Sequence, residues 1–227
     1  HAVTCGLRTE ATATKVLRLK PNSSGALVEG VLSQARRGWP REIGCDGGAA
    51  RRGEAVVATR ATFAIAAQSV LETWASYRSA AQCGAPPHAI VIACFGDPGV
   101  AALRELVPIP VFGLAEESLR STAREHGRFA VVTAGPAWKS MIDELIGHLD
   151  LESSYAGTYA IDANGLSAAQ QPERFRALMQ SAIEAAEHNG AKAIVLGGAA
   201  LAGWAHLYHS KVPLVDCVAS AFTSIAH

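Results

Sequence analysis

Residues 89–94 read Ala-Ile-Val-Ile-Ala-Cys, a short apolar run of the kind that forms a buried strand. A near copy lies 104 residues further on, where residues 193–198 read Ala-Ile-Val-Leu-Gly-Gly and Gly198 falls at the place of Cys94. The echo continues outward. Pro110-Val111-Phe112-Gly113 is answered by Pro213-Leu214-Val215-Asp216. Lys15 to Leu32 and Arg128 to Ile146 both read as strand, proline-containing loop and amphipathic helix. With one gap, Leu27, Val28, Val31 and Leu32 fall on Met141, Ile142, Leu145 and Ile146. Matched blocks in the same order point to duplication. Two related halves facing each other would each offer one position to a shared cleft, and only Cys94 of the pair carries a reactive group.

The rest of the chain alternates short β-rich runs with longer helical patterns. Strands are expected at 16–19, 89–94, 110–114, 128–133 and 192–197, with another at 212–217 and weaker ones near 41–45 and 155–161. Helices are expected at 26–37, 58–79, 98–106, 116–126, 136–149, 172–189, 199–209 and 218–226. Most of 38–54 reads as Gly- and Arg-rich loop. This alternation predicts an α/β fold whose largely parallel sheets are covered by helices, with ligands beyond the carboxyl ends of the strands. The expected division is two pseudo-symmetric parallel-sheet lobes with the active site between them. One holds residues 15–108 plus 210–226, the other 109–209, and 1–14 are an extension of unknown role.

Of the 227 residues, 49% are hydrophobic and 18% charged, which suits a packed core rather than a disordered chain. Twenty basic residues balance twenty acidic ones, so the overall charge does not favour a nucleic-acid partner. No apolar run approaches membrane-spanning length, and residues 1–14 show no leader pattern. The five cysteines, Cys5, Cys45, Cys83, Cys94 and Cys217, follow neither a disulfide framework nor zinc-ligand spacing. Free thiols fit a cytoplasmic protein.

Several residues could carry chemistry. Cys94 precedes Phe95-Gly96-Asp97-Pro98-Gly99, where Asp97 suits an N-cap and Pro98 the first helical position. A cysteine there would sit at the positive end of a helix dipole, which lowers a thiol pKa below about 8.5. An inert buried cysteine fits equally well. Pro21-Asn22-Ser23-Ser24 could bind carboxylate or amide oxygens, or cap a helix. Thr133 could touch a ligand or close a turn. Glu116 and Glu117 favour a helix start more than an acid/base role. Cys217 could be a displaced second thiol, although strand alternation favours a core position. His206 and His209 lack a third metal ligand, and Arg51-Arg52 reads as surface.

The block from Cys94 to Gly99, with Val107 to Glu116, resembles the aspartate/glutamate/hydantoin racemase superfamily, in particular its hydantoin and allantoin racemase branch. Pro21-Asn22-Ser23-Ser24 resembles that branch's N-terminal loop. Ala193 to Gly203 with Val212 to Asp216 resembles its second cysteine block. The resemblance spans about residues 15–226. It implies two α/β lobes, no cofactor, no metal and no nucleic-acid or membrane partner. It also implies a homo-oligomer acting on a small molecule with carboxylate or amide/ureide groups. Cys94 would be the catalytic thiol, Gly198 the position of the missing second cysteine, and Asn22, Ser23, Phe95, Thr133 and Ala199 substrate contacts. Lys20 and Ala134 depart from the pattern. The implied activity is cysteine-based proton transfer next to a carbonyl, altered by the loss of one thiol. A single-cysteine lyase of the arylmalonate decarboxylase type and a small-molecule binding protein are the alternatives.

Overall fold

The computed structural model describes residues 14–21, 43–49, 56–80, 86–163 and 165–225, the segment 43–49 by its backbone alone. The first half contains β1 (Thr14–Lys20), β2 (Ile43–Ala49), α1 (Arg60–Ala80) and β3 (Ala89–Ile92). It continues with α2 (Val100–Leu106), β4 (Val111–Gly113) and α3 (Leu114–His126). The second half contains β5 (Phe129–Ala134), α4 (Trp138–His148), β6 (Tyr155–Ile161), α5 (Gly165–Gln170) and α6 (Pro172–His188). It closes with β7 (Ala193–Gly197), β8 (Leu214–Asp216) and α7 (Cys217–Ile225). β2 reaches Ala49 and so enters a stretch expected to be loop.

The strands form two four-stranded parallel sheets of order β2-β1-β3-β4 and β6-β5-β7-β8. Each strand of the first sheet has its counterpart at the same place in the second, as the paired blocks predicted. The division of the chain differs from the expected one. β4 pairs with β3 and β8 with β7, so residues 109–113 do not join the second sheet, nor 210–216 the first. Each sheet is built from one continuous half of the chain, because β4 and β8 find their nearest open edge beside the strand that precedes them.

Apolar side chains of β3 (Ala89, Val91), β5 (Phe129, Val131) and β7 (Ala193, Val195) join α3, α4 and α7 in one buried core between the sheets. The outer face of the second sheet buries Ala130, Val132, Ile194 and Leu196 under α6. That of the first buries Leu17, Leu19, Ile90 and Ile92 with residues of α1 and α2. These strands are buried on both faces, which explains their continuous apolar runs.

α3 and α7 lie against each other at the seam. Ser121 and Ser220 hydroxyls pair at 2.7 Å, and Ser224 donates to Glu117 at 2.9 Å. Position 121 corresponds to 224 and 117 to 220, so the two bonds are images of each other across the pseudo-two-fold axis. Among the described residues no helix is long and apolar enough to cross a membrane.

Candidate functional site

The site is where the carboxyl ends of β3 and β7 meet. β3 stops at Ile92 because the chain turns: the Asp97 N–H donates to the Cys94 carbonyl at 3.1 Å. β7 ends in the matching turn, with Leu201 N–H donating to the Gly198 carbonyl at 2.8 Å. Phe95 bridges the two. Its ring packs so closely on Gly197 that a Cβ there would lie 2.8 Å from the ring. Cys94 and Phe95 are buried in the core between the sheets. Gly198 has φ +148°, which disfavours any side chain, and its ideal Cβ would meet only Leu201, at 3.8 Å.

Thr133 ends β5 and donates its hydroxyl to the Gly197 carbonyl at 2.5 Å. It therefore fixes the end of β7, and its lone pairs remain available. Lys20 is its counterpart at the end of β1. Strand alternation turns Arg18 and Lys20 to the same side as Val16, which belongs to the interlobe core, and each is 4% exposed. Lys20 is close enough to Cys94 for the two to favour each other's charged forms. Burial, with Arg18 adding to it, nevertheless holds the Lys20 ammonium below its usual range.

Asp97 does not cap the helix that follows it. α2 begins at Val100 behind Gly99, which is left-handed at φ +79°, and no side chain caps it. The Asp97 carboxylate instead accepts the Ala115 and Glu116 N–H groups at 2.8 and 2.7 Å, at the start of α3. It fills the place a side chain at Gly113 would need: a Cβ there would lie 2.3 Å from it. In the second half Asp216, the counterpart of Gly113, caps α7 itself through Val218 and Ala219 at 2.9 and 3.0 Å. Two backbone donors on a longer helix satisfy Asp97 better than the seven-residue α2 would.

This geometry corrects the expected depression of the Cys94 pKa. Burial pushes the thiol up to about 12, the Asp97 charge adds to that, and Lys20 opposes it. Burial also raises Asp97 to about 7, although its two backbone bonds pull the other way. Cys217 is raised as well, by burial first and then by Asp216.

The other candidates fall out as follows. Asn22, Ser23 and the expected helix 26–37 lie outside the described residues, as do Arg51 and Arg52. Ala199 is half-buried and opens a 3-10 turn, Ala199–Leu201. The expected helix 199–209 is two such turns, the second at Ala205–Leu207, broken at left-handed Gly203. The Gly203 N–H is held by Asp216. His206 and His209 are exposed and share no helix face, and among the described residues no cluster has the groups to hold a metal. Glu116 is bound by Arg104 and Arg120, and Glu117 by Ser224. A cavity of about 660 Å³ beside the carboxyl ends of α3 and α7 includes neither Cys94, Gly198 nor Thr133.

Three features escaped the sequence reading. Trp138 of α4 is buried over the first-half loop, its indole donating to the Val57 carbonyl at 3.2 Å. The isolated Trp in a helix was a weak sign of this. Asp97 reaching Gly113 had no local signal. Arg18 and Lys20 alternate with leucines, and that pattern fits an exposed face as readily as a cleft.

A profile of the Asp/Glu/hydantoin racemases matches residues 16–225. A hydantoin racemase from Paenarthrobacter aurescens is 31% identical over 211 residues, 91% of this chain and 87% of that enzyme. The allantoin racemase of Klebsiella pneumoniae superposes with a TM-score of 0.82 at 28% identity, over 93% of this chain and 86% of that one. That of Pseudomonas fluorescens gives 0.82 at 25%, over 93% and 88%.

Proposed function

This chain belongs to the Asp/Glu/hydantoin racemase family, and we propose that it interconverts the two enantiomers of a hydantoin- or allantoin-type substrate by proton transfer at the carbon next to a carbonyl, with Cys94 as an acid/base. The observation that carries this reading is Cys94 at the end of β3, buried in the interlobe core and joined to the end of β7 by Phe95. The thiolate of Cys94 takes the α-proton, and the electron pair passes into the adjacent carbonyl as an enolate. Lys20 supplies positive charge beside the sulfur and offsets part of the cost of a buried anion. Thr133 holds the opposing strand end and offers its lone pairs to an amide N–H of the substrate. Phe95 and Ala199 line the approach, and Asn22 and Ser23 belong to the same reading as carboxylate or ureide contacts. A cytoplasmic homo-oligomer acting on a small molecule is part of it too.

The test is the loss of an α-proton in D2O. Cys94→Ala should abolish inversion of 5-substituted hydantoins or allantoin, together with deuterium uptake, beyond the buffer rate, into the enantiomer whose α-proton faces Cys94. Full uptake by Cys94→Ala would show that another group is the base. One observation favours a second reading: Gly198 presents no side chain to the cleft. A single-thiol decarboxylase would need none, because loss of CO2 generates the enolate and one thiol protonates it. Release of CO2 from an arylmalonate, with one product enantiomer, would favour that reading.

A further inference from the structure

Among the described residues two thiols are buried in the interlobe core, and the reaction above names one of them. Each half of the chain supplies one of these two, at different places. In the first half the strand-end position is Cys94 and the first residue of α3 is Leu114. In the second half the strand-end position is Gly198 and the first residue of α7, the counterpart of Leu114, is Cys217. Cys217 is 1% exposed and packs in the same core as Cys94. The backbone N–H groups of Gly198 and of Cys217 itself favour the thiolate at this sulfur, although burial outweighs them. The sulfur thus lies against the backbone of the very residue that lacks a side chain. Asp97 of the first lobe is near enough to act on both thiols. Inversion at a stereocentre needs a proton taken from one face and one delivered to the other. Gly198 can do neither.

We propose that Cys217 is the second acid/base of this racemase, its thiol standing in for the side chain absent at Gly198. The assignment rests on the racemase reading above. The Cys94 thiolate forms an S–H bond with the α-proton as the C–H bond breaks, and its electron pair moves into the carbonyl to give the enolate. The Cys217 S–H then breaks, and its proton goes to the opposite face of the same carbon. The product leaves Cys94 as thiol and Cys217 as thiolate. The mirror-image substrate runs the same steps in reverse, so no external oxidant or acid is consumed. Burial disfavours the thiolate at either sulfur. Lys20 favours it on Cys94, and the two N–H groups favour it on Cys217.

The experiment follows each enantiomer of 5-isobutylhydantoin separately in D2O, reading deuterium uptake by NMR and inversion by chiral chromatography. The enzyme should invert both enantiomers with deuterium uptake. Cys217→Ala should lose inversion about 100-fold or more. It should still exchange deuterium into the one enantiomer whose proton faces Cys94, with retention. Cys94→Ala should show the complementary preference. A merely structural role for Cys217 would lower both exchange rates together. Cys217→Ser keeps the volume, and it too must lose inversion while retaining one-sided exchange. Inversion by Cys217→Ala or Cys217→Ser within threefold of the parent would overturn the assignment and leave the racemase reading intact. A parent enzyme that neither exchanges nor inverts this hydantoin or allantoin would overturn the racemase reading, and the Cys217 assignment with it.

Discussion

Gly113→Ala tests how the first lobe holds the loop that follows Cys94. The backbone at Gly113 (φ −94°, ψ 136°) accepts alanine without strain. On that ground alone the substitution should stabilise the chain by about 0.4–1 kcal/mol, through the unfolded state. The structure predicts the opposite sign. The new Cβ would stand 2.3 Å from the Asp97 carboxylate. Asp97 is left-handed at φ +61° in a tight turn and cannot simply retreat. It would have to release the Ala115 and Glu116 N–H groups. Above the Asp97 pKa of about 7 these bonds are charge-assisted, and losing both costs about 2–4 kcal/mol. For a chain of this size that lowers the melting temperature by about 5–12 °C. Thermal unfolding followed by circular dichroism measures it. A partner arm uses the symmetry of the halves. Gly113→Asp alone should be worse than alanine, because two carboxylates would compete for one helix end. With Asp97→Gly it should recover most of the loss, since residue 113 would then cap α3 as Asp216 caps α7. A melting temperature within 2 °C of the parent for Gly113→Ala would refute the capping argument. So would a double variant no better than Gly113→Asp alone.

Three further outcomes follow from the same geometry. Gly197→Ala should displace Phe95 from the strand end, costing about 1–3 kcal/mol and most of the α-proton exchange; unchanged exchange would mean that the Phe95 contact does not position Cys94. Gly198→Cys in the Cys217→Ala background should restore inversion, because space there is open toward Leu201, at a stability cost of about 1–3 kcal/mol for the φ of +148°; chiral chromatography reads the first and urea unfolding the second. Asp97 gives a pH dependence. Its folded pKa of about 7 lies above the ordinary 3.8, so the native state holds this proton more tightly than the unfolded chain does. The stability from its protonated form is therefore complete below about pH 4 and is lost as pH rises toward 7. Asp97→Asn lacks this slope, and its stability relative to the parent should rise across that window; a fall would mean that the two backbone bonds outweigh burial.

The alternation of strands and helices was legible because strands buried on both faces are continuous apolar runs, and α3, α4 and α6 carry their core residues at helical spacing. Cys94 was legible for the same reason: it closes such a run. What failed depended on contacts distant in sequence. The capping partner of Asp97 lies 18 and 19 residues away, so the nearer helix looked the natural choice. The choice of sheet for β4 and β8 is a matter of pairing, which the composition of Val111–Gly113 and Leu214–Asp216 does not encode. The stretch 199–209 has helical spacing, yet Gly203 and its bond to Asp216 break it into two turns. Cys217 was assigned to the core by strand alternation; it does lie in the core, but at the start of a helix rather than in a strand.

The paired bonds between α3 and α7 have a consequence for how the two halves can diverge. Ser121 to Ser220 and Glu117 to Ser224 repeat one contact about a two-fold axis, the pattern of an isologous interface between identical subunits. In a true homodimer every substitution strikes both sides of the axis at once, so a charge or a thiol added near it is added twice. With both copies on one chain, each side changes alone. One half can cap its helix from a strand end and the other from a loop, and a buried lysine can end one strand where a threonine stands at the equivalent place in the other half.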